Sequence, residues 1–255
     1  MSKIKMLVLD IDGTIFKKDY TASDRVKNTL QRLSDDGIKV VLCTGRMYAA
    51  TKCIAQELGL TTPVICYQGG LVKDFNNNDT TLLEDTMDVE LARDVINELK
   101  KRKLFFNLYI NDVLMVEEDH ELIRQYVDAR NISYKVVGNC DNIDLTGVNK
   151  ILAIDDNTTL IEDLQKELAK KYEGKLYVIR STPRFCEFSS PSATKGNAVR
   201  FLAEKWGINK EEIMACGQCN RRFKENSGLC DGNSGQRWSC LCCCKVYRGK
   251  ICNLE

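Results

Sequence analysis

Apolar positions along the chain fall into short runs separated by amphipathic stretches. Residues 3–9 contain Ile4, Met6, Leu7, Val8 and Leu9, a nearly continuous apolar run of the kind that fills a strand covered on both faces. Ser23 stands where a helix N-cap is expected, and Val26, Leu30 and Leu33 follow at helical spacing to about Asp36, where Asp36-Gly37 breaks the pattern. A second apolar strand is predicted over 38–42 and a second amphipathic helix over 47–58, stopped by Gly59. A third strand is predicted over 64–67, followed by Gly69-Gly70. Strand and helix alternating through short connections imply a parallel sheet with right-handed crossovers.

The polar stretch 76–81 reads as a linker, and beyond it the pattern restarts. A helix is expected over 89–103 and a strand over 105–110, with an Asn111-Asp112 turn into a strand over 113–116. A helix over 120–129, strands over 134–137 and 150–154, a helix over 159–172 and strands over 176–179 and 185–188 follow. A helix over 194–206 and a strand over 212–215 then resume the first pattern. The fold class is therefore α/β, with a second α/β unit inserted into a first. The core occupies 1–78 and 189–217, and the inserted cap occupies 79–188. Residues 76–188 are expected to form a lid over the end of the first strand, excluding water and setting specificity.

At 255 residues the chain can bury one large core or two modest ones. A net charge of +1 gives no global field for nucleic acid or an anionic membrane. No apolar run approaches the roughly 20 residues that cross a bilayer, and the first residues are not a signal peptide, so the expected location is cytoplasmic. The expected partner is a small molecule, with no nucleic acid and no membrane, bound by a monomer or homodimer. Five of the 13 cysteines (Cys43, Cys53, Cys66, Cys140 and Cys186) are scattered like small buried hydrophobes, and the other eight lie between Cys216 and Cys252. An odd total without a signal peptide argues against a secreted disulfide framework.

The chemistry begins at Asp10-Ile11-Asp12-Gly13-Thr14, where the first strand ends. Ligands of open α/β sheets lie outside the carboxyl ends of the strands, so Asp10 there can meet a phosphorus atom and Asp12 can reach the same group from the next turn. Gly13 lets the backbone turn away. Two carboxylates repel each other and repel phosphate, so a divalent cation is expected, and magnesium (Mg2+) suits oxygen ligands and substrate phosphate. Without chemistry, the same residues would be a simple strand-end turn. Thr44-Gly45-Arg46 follows the second strand and offers a hydroxyl and backbone amides to phosphate oxygens; otherwise Thr44 merely caps a helix. Lys195-Gly196 opens a helix after Thr194, where the macrodipole opposes a cation. A lysine reaching back to phosphate and to Asp10 explains it; the alternative is a solvated surface lysine.

Asp10-x-Asp12-Gly-Thr, Thr44-Gly-Arg and Lys195-Gly in this order resemble the haloacid dehalogenase superfamily, and more narrowly its Cof-type phosphatases. Residues 185–188 before Pro191, and Gly207-Ile208 before Glu211-Glu212-Ile213, are also similar to that subgroup. The resemblance covers about residues 3–217. It implies a doubly wound, Rossmann-like parallel core with a mixed α/β cap inserted between the second and third motifs. It also implies magnesium-dependent hydrolysis of small phosphomonoesters, sugar phosphates or phosphorylated cofactors. Asp10 would be the nucleophile, giving an aspartyl-phosphate. Asp12 would be the acid and then the base, and Thr44 and Lys195 would hold the phosphoryl group. Magnesium would be held by Asp10 and the Asp12 carbonyl. A phosphomutase or a non-catalytic phosphate-ligand binding protein are the alternatives. With one histidine, His120, expected at a helix start on the surface, no Ser-His-Asp arrangement is available.

The resemblance stops near Gly217. The family's fourth motif, Gly-Asp-x-x-Asn-Asp, is matched by Gly217-Gln218-Cys219-Asn220-Arg221-Arg222, which contains no carboxylate. Residues 218–255 form a cysteine-rich tail with seven Lys or Arg against three Asp or Glu and too few aromatics for a nucleic-acid surface. Three readings stand: a zinc segment built on Cys216-x-x-Cys219 with Cys230, Cys240 and Cys242, a naturally degenerate phosphatase, and a reading-frame error. The last accounts for both the lost pattern and the clustered cysteines. Whatever its origin, the tail is expected to weaken both the metal site and the stability of the core.

Overall fold

The computed structural model describes residues 3–16, 21–130 and 132–217, so the tail after Gly217 lies outside the described residues. In chain order the elements are β1 (Met6–Leu9), α1 (Asp24–Asp35), β2 (Lys39–Leu42), α2 (Tyr48–Glu57), β3 (Val64–Cys66), β4 (Leu71–Asp74) and β5 (Thr80–Glu84). They continue with α3 (Val89–Lys101), β6 (Phe105–Ile110), β7 (Val113–Val116), α4 (Glu121–Asp128), β8 (Lys135–Val136) and β9 (Val148–Ile154). The last are α5 (Thr158–Lys171), β10 (Tyr177–Thr182), β11 (Phe185–Ser189), α6 (Lys195–Lys205) and β12 (Ile213–Cys216). Two compact units result: residues up to Leu83 together with those from Thr194 onward, and Glu84–Ala193.

The first unit is built on a parallel sheet in which β1 lies between β12 and β2. A parallel bridge from Cys43 to Ile65 carries the order on to β3. Strand residues alternate between faces. Met6, Val8, Val41, Cys43 and Ile65 join Ala198, Val199, Leu202 and Ala203 of α6 in one buried cluster. Leu7, Leu9, Val40 and Leu42 are buried on the opposite face. Burial on both faces is why β1 and β2 are nearly all apolar. α1 begins where Ser23 caps it, its hydroxyl accepting from the Val26 N–H.

The stretch 76–81 is not a linker. β3, β4 and β5 form a small sheet, and the polar residues are the tip of the β4–β5 hairpin. Asn78 and Asp79 have φ of 50° and 54°, the paired left-handed residues of a type I′ turn, closed by the Thr80 N–H donating to the Asn77 carbonyl at 3.0 Å. Lys52 and Tyr48 of α2 both donate to Asp79 and tie the tip down.

In the second unit the sheet order is β10-β11-β9-β6-β7-β8, antiparallel except for β7 with β8. Phe106, Leu108, Ile110, Ile151, Ala153, Cys186 and Phe188 form one cluster with the apolar faces of α3 and α5. His120 caps α4, its Nδ1 accepting from the Ile123 N–H, and its ring stacks on Phe105 at 3.8 Å. The edge strand expected over 134–137 contracts to Lys135–Val136, and the one expected from 150 begins at Val148.

Candidate active site

The functional side chains gather where the parallel strands end. The ladder continues one step past β1, with the Asp10 N–H donating to the Cys216 carbonyl at 3.0 Å and the Cys43 N–H donating to the Leu9 carbonyl at 2.8 Å. The Thr44 N–H donates to the Ile65 carbonyl at 2.9 Å. Asp10, Thr44 and the chain leaving β12 are thereby fixed side by side by backbone bonds. Beyond Asp10 the chain folds back at once. The N–H groups of Thr14, Ile15 and Phe16 all point at the Ile11 carbonyl, at 3.0–3.2 Å, and Gly13 takes φ of 70°. Ile11, fully buried, anchors this loop.

Asp10 is held by two donors on one oxygen. Its Oδ1 accepts from the Ile11 N–H at 2.9 Å and lies 3.0 Å from Lys195 Nζ. Its Oδ2 has no hydrogen bond among the described residues, and a Cβ placed on Gly217 would stand 4.0 Å from it. Lys195 is the first residue of α6, behind the Thr194 cap whose hydroxyl accepts from the Asn197 N–H. Burial works against the Lys195 charge, but the Asp10 carboxylate outweighs it and holds the ammonium above its ordinary pKa. Lys195 therefore remains a cation throughout the neutral range, despite the helix dipole.

Asp12 has a different partner. It is half exposed, and Arg46 grips it with two parallel bonds, Nε to Oδ2 at 2.9 Å and Nη2 to Oδ1 at 2.5 Å. The Arg46 guanidinium is thus placed on a carboxylate. Thr44 is almost fully buried, and its Oγ1 accepts from the Arg46 N–H at 3.2 Å, which curls the loop around Gly45. Cys43, beneath it, is inert, since burial pushes its thiol up to about 12.

The structure brings together Asp10, Asp12, Thr44, Gly45, Arg46 and Lys195 on neighbouring strand ends of one unit. Among them two carboxylates face two cations, so the cluster is internally neutral. No group of three or more His, Cys, Asp or Glu side chains suited to a metal occurs among the described residues. The sequence reading did not single out the turn after β3. Its signal was Gly69-Gly70 following a strand. Gln68 lies against Gly45, where an added Cβ would come within 2.3 Å of the Gln68 amide nitrogen.

Comparison with known proteins identifies the family of the chain. The model of the haloacid dehalogenase-like hydrolase family matches residues 7–220. YxeH of Bacillus subtilis is 30% identical over 224 residues, 84% of this chain and 80% of that protein. The 5-amino-6-(5-phospho-D-ribitylamino)uracil phosphatase YwtE of Bacillus subtilis is 24% identical, over 84% of this chain and 81% of its own. Among solved structures, TM0651 from Thermotoga maritima superposes with a TM-score of 0.74 at 29% identity, over 89% of this chain and 85% of that one. A haloacid dehalogenase-like hydrolase from Bacteroides thetaiotaomicron gives 0.76 at 24% identity, over 85% and 82%, a likeness of fold. A family match over residues 7–220, most of the chain and a range that includes both Asp10 and Lys195, has one meaning: the chain belongs to the haloacid dehalogenase-like hydrolases.

Proposed function

We propose that the protein hydrolyses small phosphomonoesters through an aspartyl-phosphate on Asp10. The observation that carries this reading is the asymmetric environment of Asp10. Oδ1 is held by the Ile11 N–H and Lys195, while Oδ2 is left without a donor among the described residues at the carboxyl end of β1. A carboxylate fixed through one oxygen presents the other as a nucleophile. The Oδ2–phosphorus bond forms as the ester oxygen leaves, and water then cleaves the acyl phosphate to return Asp10 and inorganic phosphate. Thr44 and the amides around Gly45 receive phosphoryl oxygens, and Lys195 offsets their charge. Asp12 protonates the departing oxygen and later draws a proton from water, and it does so by leaving the Arg46 pair.

An internally neutral cluster cannot by itself accommodate a phosphate dianion. Magnesium fits the donors present, since it binds through one or two carboxylates together with substrate phosphate and keeps several waters. Asp10 and Asp12 would hold it, and when bound it would supply positive charge to the transferring phosphoryl group. Residues 218–222, where the family's fourth motif would supply acids, contain no carboxylate. We therefore expect weak magnesium affinity and low activity from this sequence, and that same observation favours a phosphate-binding protein as the second reading.

As substrate class we propose phosphorylated sugars and sugar-alcohol derivatives. The support is YwtE and a second Bacillus subtilis relative, YitU, 25% identical, both 5-amino-6-(5-phospho-D-ribitylamino)uracil phosphatases, whose substrate carries a phosphoribityl group. The test is release of phosphate from an aryl phosphate across a magnesium titration. Wild-type turnover that Asp10→Asn lowers by at least about a thousandfold, with an unchanged melting temperature, is the expected result. Equal turnover by the variant removes Asp10 as nucleophile, and phosphate binding without turnover leaves the binding protein.

A further inference from the structure

The turn after β3 is the most contorted backbone near the site. Tyr67, Gln68 and Gly69 have φ of 50°, 59° and 112°, three successive residues on the left-handed side. For non-glycine residues this costs about 1–2 kcal/mol each. Such a turn persists only where its surroundings hold it, and here they hold it from two directions. On one side it grips the loop after β2. The Tyr67 N–H donates to the Arg46 carbonyl and the Gln68 N–H to the Thr44 carbonyl, both at 3.0 Å, so the turn captures the residues on either side of Gly45. The Gln68 side chain closes over Gly45 itself, with its amide nitrogen 2.3 Å and its Cδ 2.9 Å from where a Cβ would stand. Glycine at 45 is what lets that amide approach.

On the other side the turn abuts the start of α6. A Cβ on Gly69 would lie 2.2 Å from the Thr194 carbonyl oxygen, 2.4 Å from its carbon and 2.9 Å from the Lys195 nitrogen. These are backbone atoms, so no rotamer change relieves the collision. Gly69 is needed twice over, for its φ and for its lack of a side chain. The backbone of Lys195 is thus seated on this turn, while the Thr44 loop is tied to it by two hydrogen bonds.

We infer that Gln68 and Gly69 are positioning residues, forming a strap that sets the spacing between the Thr44–Arg46 loop and Lys195. Under the hydrolase reading, on which this rests, that spacing is the gap in which the phosphoryl group is held. Gln68 governs the loop and Gly69 governs the lysine. The two halves of the phosphate site come from segments about 150 residues apart in sequence, and the strap is the element that touches both.

The strap can be tested without any turnover, by hydrogen exchange resolved to peptides. Gly69→Ala is expected to raise exchange about tenfold over both 43–47 and 194–198. Gly174→Ala, which has φ of 71° but nothing within 4 Å of the added carbon, is the control for backbone strain and should change neither segment. Gln68→Gly relieves strain and removes the side chain, so it should not lower the melting temperature, yet it should raise exchange about tenfold over 43–47 alone. Gln68→Asn tolerates a positive φ and keeps an amide, and it should restore part of that protection. Unchanged exchange over 43–47 in Gln68→Gly overturns the strap, even if Gly69→Ala fails to fold. On an aryl phosphate, Gly69→Ala should lower kcat with KM little changed, and Gln68→Gly should raise KM. If the exchange pattern appears and the wild-type protein shows no turnover, the hydrolase reading fails and the strap stands.

Discussion

The two sheets place charge in opposite ways. In the first unit the interiors of β1 and β2 are apolar, and the site charges lie beyond them, at Asp10, Asp12 and Arg46 past the strand ends and at Lys195 on the first turn of α6. In the second unit charge lies inside the strands. Lys150 of β9 and Glu187 of β11 form an ion pair at 3.2 Å with side chains only 4% and 7% exposed. Lys150 also stands 4.8 Å from the Tyr109 ring, its partner across the β6–β9 ladder. Nearby, the side-chain amides of Asn107 and Asn149 are fully buried with no hydrogen-bond partner among the described residues. Alternation explains the placement, because Asn107, Tyr109, Lys150 and Glu187 occupy the sheet face opposite the cluster shared with α3 and α5. Charge at a strand end is available to a ligand at little cost to packing, whereas charge in mid-strand depends on a buried partner of opposite sign.

That contrast can be broken most severely at the buried pair. Lys150→Met alone should destabilise the protein by about 3–5 kcal/mol, because Glu187 is left charged and unpaired. The double variant Lys150→Met/Glu187→Leu should recover most of that loss, as read by urea denaturation. A double variant as unstable as the single one shows that the pair matters for more than its mutual neutralisation. A smaller effect of opposite sign is expected at Asn107→Leu, which removes an unsatisfied buried amide and should stabilise by about 1 kcal/mol. A loss of stability there would show that Asn107 has a polar partner after all. At the helix start, Asp88→Ala removes the carboxylate that accepts from the Glu90 and Leu91 N–H groups, and should cost about 1 kcal/mol in thermal denaturation.

The smallest effect is one of pH. Burial lowers the pKa of His120, opposed by Glu118 and Asp119 and assisted by Arg124. Its Nδ1 accepts the Ile123 N–H only when unprotonated. The unfolded chain therefore takes up the proton first. The contribution of His120 is complete above the ordinary histidine value of roughly 6.5 and fades as pH falls through the lower folded value. His120→Asn keeps a cap without the titration, so the urea midpoint of the variant should decline less than that of the wild type between about pH 7 and pH 5.

Much of the first unit was legible because its signals are local. An apolar run ending in Asp-x-Asp-Gly-Thr announces both a strand and its terminus, and Ser23 announces its helix. The hairpin tip was missed because Asn77, Asn78 and Asp79 look polar and unstructured. Only the paired positive φ at Asn78 and Asp79, an Asn-Asp turn signal, distinguishes a turn from a linker. The burial of Lys150 and Glu187 has no local signal, since alternation shows which residues share a face but not what covers it. The Arg46–Asp12 pairing and the contact between Gly69 and Thr194 join residues 34 and 125 positions apart, and no spacing rule connects them.

The place of β1 in its sheet also bears on how the site is made. Asp10 is synthesised about 200 residues before Cys216, yet one neighbour of its strand is β12, and the Asp10 N–H finds its acceptor on Cys216. A nascent chain can form β1, β2 and their helices early, and it can fold the whole of Glu84–Ala193 as a local module, before that acceptor leaves the ribosome. The core sheet is thus a high-contact-order structure closed by its final described strand, and its last ladder should form late. Until then β1 is an open edge of its sheet, and the Asp10 N–H lacks the acceptor that holds it in the folded protein.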